Sequence, residues 1–412
     1  MTIDKALYHL KEYETTTGVV LSAESVAQLR KTFGAVLTLR PGPRETWDVT
    51  ASSYVGHIEL SDAIFHIRPK LKVETLWNWL TWAYDISSLR FQPPVMSVGE
   101  LTGNSEWLVL FFIKECFAIW RKGLRAEYEQ QEQAIGEVRG QLRVAPTLQK
   151  WMKQEYRFVC AYDEPTWQVK ENKLLYAGIR HMVRKRYRNE EIGRELEKLL
   201  RLFESVEKGQ MERVTLPVSV SEQVAELTRV RITRLNRQYA RALSWLTLYW
   251  KMTQLSTHEG NIFCDSFILD MNELFERYIA RRLEEGLRMY GIEVQTQPRY
   301  WLAEANRLRI IPDLILKNRS GREIVLDAKY KTRTERSGNP DVYQMLAYMT
   351  ARSTSSGILL YAAGLERVDK IRNTDKKIYQ WSLGIDEWTD RESQDERFER
   401  IVQHIVSMLE EK

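Results

Sequence analysis

Two carboxylates and a lysine are set into otherwise apolar strand sequence between Leu308 and Lys331. Asp313 follows Ile310-Ile311-Pro312 and precedes Leu314-Ile315-Leu316, while Asp327 closes Ile324-Val325-Leu326 ahead of Ala328 and Lys329. Asn318-Arg319-Ser320-Gly321 supplies turn residues between the two runs, which predicts a β-hairpin. Side chains alternate across a strand, so Asp327, Lys329 and Lys331 project from one face. Desolvating a lone carboxylate in such surroundings costs several kcal/mol unless something positive pairs with it. A divalent metal between Asp313 and Asp327, with Lys329 beside it, removes that cost. The competing reading is an ordinary carboxylate–lysine salt bridge at a strand end, because Asp-x-Lys alone is a common tripeptide.

The flanking segments weigh against the ordinary reading. Upstream, Phe267 to Leu283 carries Leu274, Phe275, Tyr278, Ile279 and Leu283 at helical spacing, which predicts an amphipathic helix. Glu276 lies beside the apolar stripe and is the candidate to face the sheet; Glu273 competes with it, and either is otherwise a solvated helix residue. Downstream, Gln344 and Tyr348 lie one helical turn apart and share a face. A further apolar strand, Gly357 to Tyr361, follows. The layout resembles the PD-(D/E)xK nucleases, with Pro312-Asp313 as the first element and Asp327-Ala328-Lys329 as the second. The Gln-x3-Tyr helix resembles the extra motif of RecB-like nucleases, where it supports the site and contacts the nucleic-acid backbone.

At 412 residues with 43% hydrophobic content, the chain is long enough for two or three domains with sizeable cores. It has no apolar run long enough for a membrane span or a signal peptide. Cys116, Cys160 and Cys264 lie far apart with no ligand-spaced partner, which argues against zinc and disulfides and fits a reducing cytoplasm. A net charge of +5 permits nucleic acid as a partner without demanding it. Basic residues cluster at Arg229, Arg231, Arg234, Arg237 and Arg241, the last three predicted on one helical face, and again at Arg180, Arg184, Lys185, Arg186 and Arg188. These are solvated faces or phosphate contacts. No P-loop motif occurs, so no nucleotide is bound by this chain in that way.

The expected architecture is multi-domain α/β. Residues 1–104 mix α and β and are β-rich, with strands Val55–Leu60 and Ala63–Arg68 joined around Ser61-Asp62, a rigid exposed turn at Pro41-Gly42-Pro43, and a helix from Leu76 to Tyr84. Residues 105–258 are mostly helical, with an apolar helix from Trp107 to Trp120, a β-hairpin or bent loop at Gly136–Arg143, a strand at Phe158–Tyr162, and helices at Leu174–Tyr187, Glu195–Val206 and Arg234–Met252. Residues 259–412 form a nuclease core, a central mixed sheet flanked by helices, ending in a helix from Asp395 to Leu409.

Other strings extend the likeness along most of the chain. They are Val55-Gly56-His57-Ile58-Glu59-Leu60 with Ile67-Arg68-Pro69-Lys70-Leu71; Val138-Arg139-Gly140-Gln141-Leu142; Glu171-Asn172-Lys173-Leu174-Leu175; and Leu235-Asn236-Arg237-Gln238-Tyr239. With Met271 to Glu276, Asp327 to Lys331 and Tyr343 to Tyr348, they resemble the McrC family, the nuclease subunits of McrBC-type modification-dependent restriction systems. The family usually has Gly-Arg where this chain has Gly140-Gln141, so no role of that arginine carries over. The resemblance implies docking through the N-terminal region on a McrB-like hexameric AAA+ GTPase and stimulation of its GTP hydrolysis. It also implies cutting of double-stranded DNA as the motor translocates. A modified base of the 5-methylcytosine type is then read by the partner. It implies type IV-like restriction, an antiviral defence, in the cytoplasm and away from membranes.

The chemistry implied is phosphodiester hydrolysis assisted by Mg2+, with Mn2+ as a substitute. Asp313 and Asp327, the carbonyl of Ala328 and waters make up an octahedron, and Glu276 is an outer ligand or holds one of those waters. Lys329 orients the attacking water or stabilises transition-state charge, and Lys331 contacts the neighbouring phosphate. Gln344 and Tyr348 support the site. Arg40, Arg44 and Arg68, near exposed turns suited to a ring's pore, are the candidates to reach a nucleotide site across the partner interface. Two alternatives stand: a self-sufficient RecB-like repair nuclease, or an adaptor that chiefly activates an NTPase. Co-purification with a GTPase separates them.

Overall fold

The computed structural model describes residues 5–84, 106–206, 220–253, 266–302, 308–333, 339–385 and 391–410. Chain order begins with β1 (Ala6–Lys11), β2 (Thr15–Val19), α1 (Ala23–Thr32), β3 (Leu37–Pro41), β4 (Trp47–Ala51), β5 (Tyr54–Glu59), β6 (Ala63–Arg68) and α2 (Val73–Ala83). β5 and β6 are the antiparallel hairpin that period-two alternation predicts, and β1 lies parallel to β6. β2, β4 and β3 form a separate antiparallel sheet. The Ser61-Asp62 turn is not the exposed tip expected of it. Asp62 accepts from the backbone amide of Ser22 at 2.6 Å and from the hydroxyl of Ser25, so it sits at the N-terminus of α1, where negative charge is favoured. Pro41-Gly42-Pro43 does lead into an exposed β3–β4 turn, in which Arg44 (φ 54°) and Glu45 (φ 60°) both take the left-handed conformation.

Next come α3 (Glu106–Lys122), β7 (Glu127–Ile135), β8 (Gln141–Leu142), α4 (Val144–Met152), β9 (Phe158–Thr166), α5 (Lys170–Val183), α6 (Glu190–Ser205), α7 (Val220–Thr228) and α8 (Ala240–Thr253). α3 buries Trp107, Phe112, Cys116 and Ile119. The family strings here turn out to be internal scaffolding. Asn172 bonds the carbonyls of Arg125 and Trp167, Tyr239 donates to Asn172 at 2.6 Å, and Asn236 donates to Glu171 at 2.6 Å. Gly140 (φ 67°) lies so close to Ala161 and Tyr162 of β9 that a Cβ would strike them. The expected helical face of arginines does not form. α7 ends at Thr228, and Asn236 ties the intervening turn by accepting from the Thr233 amide and donating to the Arg231 carbonyl, a local bonding pattern that competes with helix. Arg229 is paired with Glu226 at 2.7 Å.

The chain continues with β10 (Phe267–Asp270), α9 (Met271–Arg288), β11 (Glu293–Thr296), β12 (Tyr300–Trp301), β13 (Arg309–Ile310), β14 (Leu314–Lys317), β15 (Glu323–Arg333), α10 (Asn339–Arg352), β16 (Ser356–Gly364), β17 (Arg367–Lys370), β18 (Lys377–Ser382) and α11 (Arg391–Glu410). A six-stranded mixed sheet runs β11-β14-β15-β16-β18-β17, with β15, β16 and β18 parallel and the remaining pairs antiparallel. β14 and β15 are the hairpin predicted around Asn318–Gly321. α10 packs on this sheet through Met345, Tyr348 and Met349, against Ile315, Val325, Leu359 and Tyr361.

Phe267–Asp270, expected as the start of a helix, is instead a strand. Asp270 caps α9 by accepting from the amides of Asn272 at 2.9 Å and Glu273 at 3.3 Å. β10 pairs with β5, so the order of the first sheet is β1-β6-β5-β10. Two compact units result: Met1–Asn104 with His258–Lys412, and Ser105–Thr257. The first and last of the three expected regions are therefore halves of one body. The joints expected near 104 and 258, and the start near Asn261, lie outside the described residues. Gly56 explains the glycine in the family string: at φ 138° it faces Ile268, and a Cβ would collide with the carbonyl of Phe267. Trp79 of α2 completes the weld, stacking on Tyr278 at 5.2 Å and meeting Phe275 and Tyr330. Among the described residues, no helix is long and apolar enough to cross a membrane.

Gly56→Ala should therefore unfasten β10 and destabilise the chain by about 2 kcal/mol or more. Chemical unfolding of the purified variant checks this, and an unfolding curve matching the parent's would refute it.

Candidate active site

The hairpin delivers its charged side chains to one place. Asp327, 2% exposed, lies with Oδ2 2.5 Å from Lys329 Nζ. That contact is a close ion pair at a carboxylate oxygen that is itself buried. Asp313 Oδ2 accepts from the amide of Ala328 at 2.8 Å, which clamps the Pro-Asp segment to β15. Lys329 Nζ also donates to Gln344 Oε1 at 3.1 Å, Gln344 Nε2 donates to Tyr348 Oη at 2.8 Å, and Tyr348 donates to the carbonyl of Ile311 at 3.2 Å. The helix pair Gln344/Tyr348 thus closes a ring from the lysine back to the strand that carries Asp313.

α9 supplies the third carboxylate. Glu276 is half-buried and accepts from Gln297 Nε2 at 2.7 Å, whereas Glu273 is taken by Arg277 at 2.9 Å. Of the two competing glutamates, Glu276 is the one whose charge acts on Asp313. Gln297 escaped the sequence reading. Its backbone amide donates to the carbonyl of Asp313 at 2.8 Å and its φ of 45° is left-handed, so it bridges α9 to the Asp313 strand from a strained position. A glutamine before a proline carries no signal for that role. Lys331 turns instead to Asp341, 2.7 Å away, which also accepts from Tyr361. Arg40, Arg44 and Arg68 are exposed and stand on different sheets, Arg40 and Arg44 at the β3–β4 turn and Arg68 at the end of β6.

The electrostatics follow from crowding. Burial, then the charges of Asp327 and Glu276, hold Asp313 well above the usual carboxylate range. Burial likewise raises Asp327 and, with help from Glu273 and Asp327, Glu276. Burial opposes the charge on Lys329, but Asp327 beside it, with Asp313 and Asp341, carries its pKa upward. Tyr348 is pushed up to about 12 by burial and by the same two aspartates. With one ammonium beside them, the three carboxyl groups resist full ionisation, which an isolated salt bridge would not cause.

Among the described residues, no three His, Cys, Asp or Glu side chains gather as a metal-holding group. The close carboxylates are a pair, Asp313 and Asp327. Two hard oxygen donors side by side suit Mg2+, which is commonly held by one or two carboxylates and keeps several waters. Glu276, bonded to Gln297, stands outside that pair.

The model of the McrBC 5-methylcytosine restriction system component matches residues 49–362, most of the sequence. The chain belongs to this McrBC family. Solved structures are similar as well. A chain in the half-complex from a tetradecameric assembly of Thermococcus gammatolerans McrB AAA+ hexamers with bound McrC is 18% identical, with a TM-score of 0.58 over 97% of this chain and 100% of that one. A chain of the Thermococcus gammatolerans McrBC complex, determined by cryo-EM, is 19% identical over 68% of this chain and 88% of that one, with a TM-score of 0.45. At such identities the first match shows a shared fold. No curated protein matches the chain.

Behind the site, Glu12 is 2% exposed and accepts from Tyr330 Oη at 3.2 Å and the Lys70 amide at 3.0 Å. Burial pushes its pKa up from 4.5 to about 7. The folded chain therefore holds this proton more tightly than the unfolded one, and stability from this group is full at acid pH and falls as pH climbs from the unfolded value to the folded one. Glu12→Gln should be more stable than the parent by up to about 3 kcal/mol near pH 8, with the advantage vanishing near pH 4. Melting temperatures at the two pH values test this; a constant difference would refute it.

Proposed function

We propose that this chain is the DNA-cutting subunit of a modification-dependent restriction complex, acting with an AAA+ GTPase of the McrB kind. The observation that carries the reading is the Asp313/Asp327 pair, the second of them buried, with Lys329 held beside it by Gln344, in a chain of the McrBC family. The partner is supported by the similar chain, which comes from an assembly of McrB AAA+ hexamers with bound McrC. The absence of a P-loop motif from this sequence agrees with that division.

Asp313, Asp327 and the carbonyl of Ala328 would hold Mg2+, with Mn2+ as a substitute. Bound there, the ion neutralises charge at the scissile phosphate and makes a water more acidic. Lys329, its rotamer fixed by Gln344 and Asp327, places a positive charge where the phosphate gains negative charge. Tyr348 restrains Gln344 and so restrains the lysine. Glu276, neutralised more readily than a solvated glutamate, holds a water at the outer edge of the pair. Lys331 contacts a neighbouring phosphate once that charge competes with Asp341.

For docking on the motor, the β3–β4 turn offers Arg40 and Arg44 from an exposed, strained tip. A second surface competes on its own observation. α4 leaves Val144 60%, Leu148 52% and Met152 86% exposed, an unusual display for an amphipathic helix. Stimulation of GTP turnover by Arg40→Ala/Arg44→Ala and by Leu148→Ser/Met152→Ser variants assigns the contact to whichever pair loses it.

Asp313→Ala, Asp327→Ala and Lys329→Ala should each lower the cleavage rate by about 100-fold or more, a barrier increase of about 3 kcal/mol. The same proteins should still stimulate the GTPase. Near-parental cutting by any of them would overturn the site. Truncation after residue 260 cannot separate the two activities, since it removes β10 and α9 from the body that residues 1–104 help to build.

In a second test, the chain with Mg2+ alone should cut little. Specific cleavage should appear on adding the GTPase and GTP. Robust specific cutting by the isolated chain would favour the self-sufficient nuclease.

A further inference from the structure

The Pro69-Lys70 turn after β6 belongs to a family string, yet it takes no part in the site above. It borders a cavity of about 210 Å3 lined by Tyr13, Lys70, Lys72, Thr75, Tyr330 and Lys331 among others. Among the described residues, no carboxylate lines this cavity. Lys70 Nζ stands 4.6 Å from the centre of the Tyr13 ring, and both Lys70 and Lys72 are exposed. Among the described residues, neither ammonium has a carboxylate within ion-pair distance. The first turn of α2 opens on the same side, and its cap residue Lys72 makes no side-chain capping bond. The helix N-terminus adds positive potential, offset in part by Glu74 in its first turn.

The cavity is built rather than incidental. Glu12 joins the amide of Lys70 to the hydroxyl of Tyr330, and Tyr13 Oη donates to the carbonyl of Tyr330 at 3.5 Å. The lysine-bearing turn is thus fixed to β15, the strand that carries Asp327 and Lys329. Tyr330 and Lys331, which follow Lys329 directly, line the cavity. Strand rise places Lys331 roughly 13 Å beyond Asp327. Phosphates on one strand of duplex DNA follow one another at roughly 3.4 Å along the axis, so that distance covers about four of them.

We propose that this cleft, with Lys70 and Lys72 as its cations, holds backbone phosphates of double-stranded DNA a few nucleotides from the bond being cut. The proposal rests on the nuclease reading. It makes the N-terminal half a direct source of DNA contacts. Phosphate contacts of this kind fix the register of the duplex without reading its sequence.

The test uses the full chain and a fluorescent duplex, with binding followed by anisotropy over a range of salt. Each lost phosphate contact lowers the slope of log affinity against log salt by about 0.9. Lys70→Gln/Lys72→Gln should therefore weaken binding several-fold and flatten the slope by about 1 to 2. Lys70→Arg/Lys72→Arg should restore both. Parental affinity and slope in the Gln variant overturn the proposal, as does a parent chain that does not bind duplex. A Gln variant that loses only GTPase stimulation overturns it too, and assigns the cleft to the protein partner. Failure of the nuclease reading is distinguishable, because the parent would then bind DNA but not cut it with Mg2+, the GTPase and GTP.

Discussion

Asp327 on β15 and Asp313 just ahead of β14 carry their carboxyl groups beside Leu314, Ile315, Val325 and Leu326, all buried. Their repulsion is stronger there than in water, and everything around them is arranged to withstand it. The Ala328 amide meets one carboxylate and the Lys329 ammonium the other. Gln344, Tyr348 and the Ile311 carbonyl then keep the lysine from swinging away. The arrangement is costly for an empty fold and well suited to receiving a cation. Sites that chemistry requires are commonly destabilised in this way.

β15 separates chemistry from support by its two faces. Asp327 and Lys329 point to the site. Tyr330, one residue on, points away into the aromatic group of Trp79 and Phe275 and to the buried Glu12. An error in strand register would move both sets at once, exchanging the reactive face for the packed one. The cluster around Trp79 thus guards the position of Lys329 from the other face of the strand.

What the sequence made legible were the local rules. Alternation and the Asn318–Gly321 turn gave the hairpin, and the one-turn spacing of Gln344 and Tyr348 gave their common face. The choice between Glu273 and Glu276 was not legible, because both flank the same apolar stripe and only the third dimension brings Gln297 to one and Arg277 to the other. β10 was read as helix because its four residues merge into a helical pattern, and only a partner strand far away in sequence makes them extended. β7 was missed because Glu127–Ile135 is almost wholly polar and lies exposed, leaving no periodicity to detect. The arginine face failed for a subtler cause. Asn236 offers the backbone a turn that propensity does not reveal.

The first unit is interrupted in sequence, since the whole of Ser105–Thr257 is made between its two halves. A ribosome adding roughly 5–20 residues each second needs about ten seconds or more to cross that stretch. Through that interval β5 waits with an open edge and Trp79 without Phe275 and Tyr278. Both carboxylates, the lysine and the ring that holds it belong to the last portion synthesised. The candidate site is therefore the last part of the first unit to be assembled, and the second unit has time to fold before that site exists.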